Sequence, residues 1–224
     1  MKRFAQELEG LTAEIIDLAM VVIAAVRDAV RALEEGRPDL ARRVIEEDAA
    51  IDREEVRIEE ACIRILVLST PAAGDLRRVI AALKINTDLE RIGDLGVDIA
   101  EQALALARSP GGLEIPGALR AMADRALQMV GDGLNSFVGS DVMLARSVLA
   151  MDDEVDRLDR IIREEMAVMI RADPGRIEAA LGLASVARHL ERIADHATNI
   201  AEDVVYLRDG EIVRHLHEPG AGPG

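Results

Sequence analysis

The 224-residue chain carries 42 acidic against 27 basic residues, a formal net charge of −15, and half of its residues are hydrophobic. A surface this acidic repels nucleic-acid phosphates and anionic lipid, which excludes recruitment to DNA, RNA or a charged bilayer. The apolar half is almost entirely Ala, Leu, Ile, Val and Met, with Phe4, Phe137 and Tyr206 as the aromatics, so helices packed on helices are expected and strands are not.

The start, Met1 to Glu7, lacks the apolar core of a signal peptide, and no uncharged run approaches the roughly 20 residues of a bilayer span. From Leu11, the positions Ile15, Leu18, Val22, Val26, Val30 and Leu33 recur at steps of three or four, which predicts a helix with one buried side. Gly36-Arg37-Pro38 stops it. A second helix follows through Leu40, Val44, Ile51, Ile58, Cys62 and Ile65. Cys62, the single cysteine, falls on this apolar stripe and reads as a small core residue in a reducing compartment. Thr70 as N-cap and Pro71 as first residue start a third helix, predicted to reach about Arg108. Ser109-Pro110-Gly111-Gly112 then breaks the chain near its middle.

Beyond the break the sequence repeats itself. Leu40-Ala41-Arg42-Arg43-Val44 matches Leu144-Ala145-Arg146-Ser147-Val148, and Asp48 with Ile51-Asp52-Arg53 matches Asp152 with Val155-Asp156-Arg157, at an offset of 104 residues. Leu89-Glu90-Arg91-Ile92-Gly93-Asp94 matches Leu190-Glu191-Arg192-Ile193-Ala194-Asp195 at an offset of 101. The shorter second copy has Asp173-Pro174 as cap and first turn of its last helix, and Asp209-Gly210 ends that helix. The fold class is therefore all-α: two tandem three-helix bundles, six helices in all, over 1–110 and 111–210, with a Gly/Pro-rich tail over 211–224.

Acidic residues occupy places where the helical period expects apolar ones. Asp48 and Glu55 lie within the apolar stripe of the second helix and Asp52 at its edge. The third helix has a heptad line through Ile85, Leu89, Ile92, Gly96, Ile99, Ala103 and Leu106, and a second stripe through Thr87, Glu90, Asp94, Asp98 and Glu101. In the second copy Arg188, Glu191, Asp195, Asn199 and Glu202 repeat that polar stripe. Spacing of i and i+4 stacks Glu90 over Asp94 and Asp48 over Asp52, about 6 Å apart along the axis. Four carboxylates that converge oppose one another's ionisation. Two arrangements relieve this: a hard or borderline cation held by oxygen ligands, Mg, Ca, Mn or Fe, or pairing with Arg53, Arg91, Arg157, Arg188 and Arg192. A ferritin-like di-iron site is excluded because no Glu-x-x-His is present, and Walker-type, G-x-G-x-x-G and G-x-S-x-G motifs are also missing. His196 follows Asp195 but has Leu95 as its counterpart, and reads as a packing or surface residue.

Lys84-Ile85-Asn86-Thr87-Asp88-Leu89-Glu90-Arg91-Ile92-Gly93-Asp94, continuing to Glu101, resembles the signature helix of the PhoU family of bacterial phosphate-system regulators, as does Arg188 to Glu202. Pro71 to Arg78 and Asp203 to Gly210 carry the resemblance over nearly the whole chain. It implies two bundles, each holding a multinuclear metal cluster, iron or zinc. By resemblance the metal-binding positions are Asp48, Asp52, Glu90 and Asp94 in the first bundle and Asp152, Asp156, Glu191 and Asp195 in the second. Asn199 in place of Asp98, and Arg188 in place of Thr87, weaken the second set. The resemblance further implies a non-enzymatic negative regulator of the phosphate-starvation response and of phosphate uptake. Such a protein links the ATPase of the phosphate ABC transporter to a sensor histidine kinase, forms a homodimer, and is cytoplasmic, reaching the inner membrane through protein partners. The alternatives are a metal-dependent enzyme in a helical bundle and a structural bundle with solvated acidic faces.

Overall fold

A computed structural model describes residues 2–69, 73–107 and 114–209. Long helices follow from long uninterrupted apolar periods. The apolar line of the first helix, α1 (Lys2–Glu34), is buried from Leu11 to Leu33. The helix itself starts nine residues before Leu11, because Phe4 and Leu8 extend the same line and pack on the core. α1 ends in a left-handed residue, Gly36 (φ 61°), where the Arg37 N–H donates to the Ala32 carbonyl at 2.9 Å. Pro38 then opens α2 (Pro38–Leu68), whose buried residues include Ile51, Ile58, Cys62 and Ile65. α3 (Ala73–Leu106) is next, and the places of Thr70, Pro71 and Arg108 lie outside the described residues.

The second repeat reproduces these devices with other residues. α4 (Gly117–Gly139) ends at Ser140, also left-handed (φ 50°), and the Asp141 N–H donates to the Ser136 carbonyl at 2.8 Å. Ser140 stands at the place of Gly36 under the 104-residue offset. α5 (Val142–Ala172) is capped by the Asp141 carboxylate, which accepts from the Met143 and Leu144 N–H groups at 3.0 Å. Asp173 accepts from the Gly175 N–H at 2.9 Å, as a cap should, but what it opens is a 3-10 turn, Pro174–Arg176, and α6 (Ile177–Asp209) follows.

α1, α2 and α3 pack on one another, as do α4, α5 and α6, and the two bundles join where α3 lies along α6 and α1 touches α4. Almost every described residue is helical, and the described residues contain no strand. α3 uses three faces at once. A Cβ on Gly96 would lie 3.2 Å from Val26 of α1, and one on Gly93 would lie 3.3 Å from Ile51 of α2. The third face meets α6 through Asp88, whose carboxylate is 2.8 Å from His196 Nδ1. The heptad lines of α3 and α6 are thus buried inside the bundles, from Ile85 to Leu106 and from Val186 to Val204. No helix among the described residues is long and apolar enough to cross a membrane.

Candidate functional site

Between α2 and α3 the acids meet over the close approach at Gly93. With no side chain there, Ile51 packs onto the α3 backbone, and Asp48 Oδ1 lies only 3.8 Å from where a Cβ would stand. Asp48, Glu90 and Asp94 are half-buried and Asp52 is exposed. Burial raises the Asp48 carboxyl above its ordinary value, and Asp52 and Asp94 add to the rise. Burial also raises Glu90, with Asp94 and more distantly Glu55 and Asp52 reinforcing it and Arg91 opposing it. The four candidate residues of the first repeat therefore share one electrostatic neighbourhood across two helices.

The second repeat shows the same pattern more strongly. Asp152 is pushed up to about 6, first by burial, then by Asp156, Asp195, Asp153 and Glu191. Burial raises Glu191 and Asp195 too; Asp156 pushes both up, whereas Arg163 opposes the rise at Glu191 and His196 and Arg192 oppose it at Asp195. Asp156 and Asp195 are exposed, Asp152 and Glu191 half-buried.

A fifth carboxylate, outside the residues the resemblance implies, accompanies each set of four. Glu55 accepts from Asn86 Nδ2 at 3.3 Å, and its own carboxyl is raised by burial and then by Glu59 and Asp52. Its counterpart at the 104-residue offset is Asp159, which is buried and paired with Arg163 at 2.5 Å. The repeat offset that selected Asp48 and Asp52 was the signal that could have found this pair.

The arginine network is thinner than the sequence allowed. Of the five arginines offered as partners, only Arg91 meets a candidate acid at ion-pair distance among the described residues: Glu90 at 3.3 Å and Asp94 at 3.1 Å, all on α3. The cation that crosses between helices is Arg163, 3.7 Å from Glu191. Arg188 makes no such contact there. Asp48, Asp52, Asp152 and Asp156 thus face their acidic neighbours with no ion pair among the described residues. In their present rotamers no three His, Cys, Asp or Glu side chains among the described residues are gathered tightly enough to grip one ion. The donor set offers a hard cation oxygen ligands only, and burial together with neighbouring acids raises Asp48, Glu90, Asp152, Glu191 and Asp195.

His196, expected to be a packing or surface residue, is half-buried and bridges the two bundles. With Asn199 Nδ2 at 3.4 Å, its Nδ1 at 2.8 Å holds Asp88 across the seam between the bundles. His189 reaches Asp98 at 3.4 Å along the same seam, and Lys84 Nζ meets the buried Asp203 at 2.8 Å. Asp98, placed on the acidic stripe by its spacing, therefore turns toward α6.

A PhoU domain family model matches the chain twice, over residues 15–103 and 119–204, once in each repeat. The chain belongs to the PhoU family. It is 43% identical over 217 residues to the phosphate-specific transport system accessory protein PhoU homolog of Aquifex aeolicus, covering 97% of each chain. The homolog of the same description from Pseudomonas putida is 39% identical, with 96% of this chain and 84% of the relative covered. The crystal structure of PhoU from Pseudomonas aeruginosa superposes with a TM-score of 0.88 at 37% identity, covering 93% of this chain and all of that one. The phosphate transport system regulatory protein PhoU from Streptococcus pneumoniae gives 0.87 at 31% identity, with 94% and 99% covered. The names of these relatives describe accessory and regulatory proteins of phosphate transport.

Proposed function

We propose that this PhoU-family chain is a cytoplasmic adaptor that holds back the phosphate-starvation response. It does so by linking the ATPase of a phosphate ABC transporter to the sensor histidine kinase, and it binds metal clusters on its two acidic faces. The observation that supports this reading best is similarity along the whole chain to PhoU proteins, together with acids at matching positions in both repeats. Asp48, Asp52, Glu90 and Asp94 would hold one cluster and Asp152, Asp156, Glu191 and Asp195 the other. A bound cation supplies positive charge that offsets the burial, and after it the neighbouring acids, that raise Asp48, Glu90 and Asp152. Iron and zinc come from the family resemblance; the all-oxygen donor set suits Mg, Mn and Ca equally.

An adaptor needs no reacting group. It transmits a signal when its affinity for one partner depends on the state of the other, which is a coupling free energy between surfaces of long, rigid helices. Two measurements test the reading. Co-purification with the transporter ATPase and the kinase is expected from cells grown in ample phosphate, and capture of neither overturns the adaptor role. Elemental analysis of protein purified without a metal-affinity tag should find bound metal, and Glu90→Ala with Asp94→Ala should remove half of it or more, since the second set is the weaker of the two. Metal-free wild-type protein would remove the metal part of the proposal and leave the adaptor part standing.

A further inference from the structure

The two repeats differ at one end. Under the 104-residue offset Ala13 of α1 stands opposite Gly117, where α4 begins, so the second repeat's first helix is about three turns shorter. In the first repeat those turns lie along the C-terminal half of α2. Glu7, Gly10, Leu11 and Glu14 face Ala61, Arg64, Ile65 and Leu68 across a narrow cleft. Leu11 and Ile65 are buried, and Glu14 pairs with Arg57 at 3.2 Å.

The equivalent face of α5 has no such cover from α4. Glu165, Val168, Met169 and Ala172, the counterparts of the four α2 residues, line an open groove. Its side chains have changed to match. Where α2 presents Arg57 and Arg64 to solvent, α5 has Ile161 and Val168, and Val168 is 57% exposed. At the same end, Ile177 and Leu181 on the first turns of α6 are 47% and 60% exposed. Glu164, Glu165 and Asp173 line the groove against a single cation there, Arg176.

We propose that this groove on α5 is the docking site for a basic amphipathic helix of a partner protein, which lies where the first repeat carries its own opening turns. The first repeat supplies the template in its opening turns: apolar side chains on one helix face, repeated at steps of three, four and seven, seat on the groove floor beyond Ile115, the counterpart of Leu11 that packs on the core. The acidic lining selects Lys and Arg on the flanks of that helix. A second copy of this chain would bring its own net charge of −15 against the same acids. The chain's tail does not supply the occupant either. The tail follows Asp209, at the opposite end of α6 and about 50 Å of helix away, and the seven residues from Gly210 to Leu216, which hold its apolar Ile212, Val213 and Leu216, reach at most roughly 25 Å. The proposal rests on the adaptor reading only for the existence of a partner, and its test uses neither transporter nor kinase, so each fails separately.

The probe is a labelled synthetic peptide of about five helical turns, Leu and Ala on one face and Lys and Arg on both flanks, titrated with the full chain by fluorescence anisotropy. Saturable binding to the wild type is expected. Restoring the first repeat's arginines with Ile161→Arg and Val168→Arg should weaken it about tenfold or more, since two apolar contacts are lost and positive charge is added. Glu164→Gln with Glu165→Gln should weaken it less and flatten its salt dependence. Leu68→Arg, on the covered groove of α2, should leave the affinity unchanged. A scrambled peptide of the same composition binding as well, or unaltered affinity in the double arginine variant with a wild-type circular dichroism spectrum, overturns the proposal. So does sedimentation showing that the wild type self-associates and the arginine variant does not, because a second copy then fills the groove.

Discussion

Asp152 shows at the scale of one residue how the acidic faces act on the fold. Its carboxyl is pushed up to about 6 against an ordinary value of 3.8, so the metal-free native state holds a proton that the unfolded chain has already released between those pH values. The sign follows: stability from this group is greatest at low pH, falls as pH rises from about 4 to about 6, and stays at its lowest above that. At pH 7, in metal-free buffer, Asp152→Asn should therefore be the more stable protein. The full shift of about two pH units would be worth close to 3 kcal/mol, and solvent screening at a half-buried site reduces this to about 1 kcal/mol. Urea unfolding at pH 7 and at pH 4 checks it: the variant's advantage should be present at the first and largely gone at the second. A variant less stable than wild type at pH 7 would mean that Asp152 makes a favourable contact as an anion. The stacking of Asp48 with Asp52 and of Glu90 with Asp94, and of their counterparts, was legible in the sequence because i and i+4 spacing fixes a helix face, while which helices face one another was not. The turn of His196 and Asp98 toward the other bundle was not, because a wheel drawn for one helix says nothing about which neighbour its flanks will meet.

Between elements, the α2–α3 contact of the first repeat and the α5–α6 contact of the second solve one packing problem in two ways. The first repeat places Gly93 opposite Ile51, with room for a Cβ only 3.3 Å from Ile51 Cγ2. The second has Ala194 and Val155 at the equivalent positions, a methyl more on one helix and one fewer on the other. Gly93→Ala alone gains about 1 kcal/mol of helix propensity but overpacks Ile51, a cost of about 1–3 kcal/mol. Adding Ile51→Val deletes Cδ1, which a Cβ would meet at 3.4 Å, and keeps Cγ2 at 3.3 Å, so it relieves part of the overlap. The double variant should therefore be more stable than Gly93→Ala alone, by about 1 kcal/mol, even though Ile51→Val by itself creates a void and destabilises. A thermal-melt double-mutant cycle measures this coupling, and strict additivity would show that the two positions do not share one space. Helix number and order were readable from apolar periods and breakers in the first copy and from the internal repeat in the second. Helix starts were less so: α1 begins at Lys2 because Phe4 and Leu8 continue the line that reads most strongly from Leu11.

The whole molecule depends on the seam where α3 lies along α6, since each repeat is otherwise a closed three-helix bundle. Duplication is visible in the sequence, but how the copies face each other is not, because the seam uses residues that differ between repeats: Lys84 corresponds to Ser185, and Asp203 to Gln102. Lys84 Nζ sits 2.8 Å from Asp203, whose side chain is 3% exposed, and also lies over the Tyr206 ring at 5.7 Å. Removing the cation takes one partner away from a buried carboxylate that keeps a further interaction, whereas leaving a fully buried charge uncompensated costs about 3–5 kcal/mol. Lys84 itself is partly exposed, so solvent reaches one side and about 2–3 kcal/mol is the expected loss for Lys84→Met in denaturant unfolding. Lys84→Met with Asp203→Leu should recover most of that, because the buried charge is gone and the apolar replacements fill similar volume. Hydrogen exchange separates a seam effect from a general one: the single variant should expose amides of α3 and α6 along their shared face while those between α1 and α2 keep their protection. Uniform loss of protection through all six helices would instead mean that the two bundles unfold as one unit, with this ion pair contributing to global stability and not to the orientation of one repeat on the other.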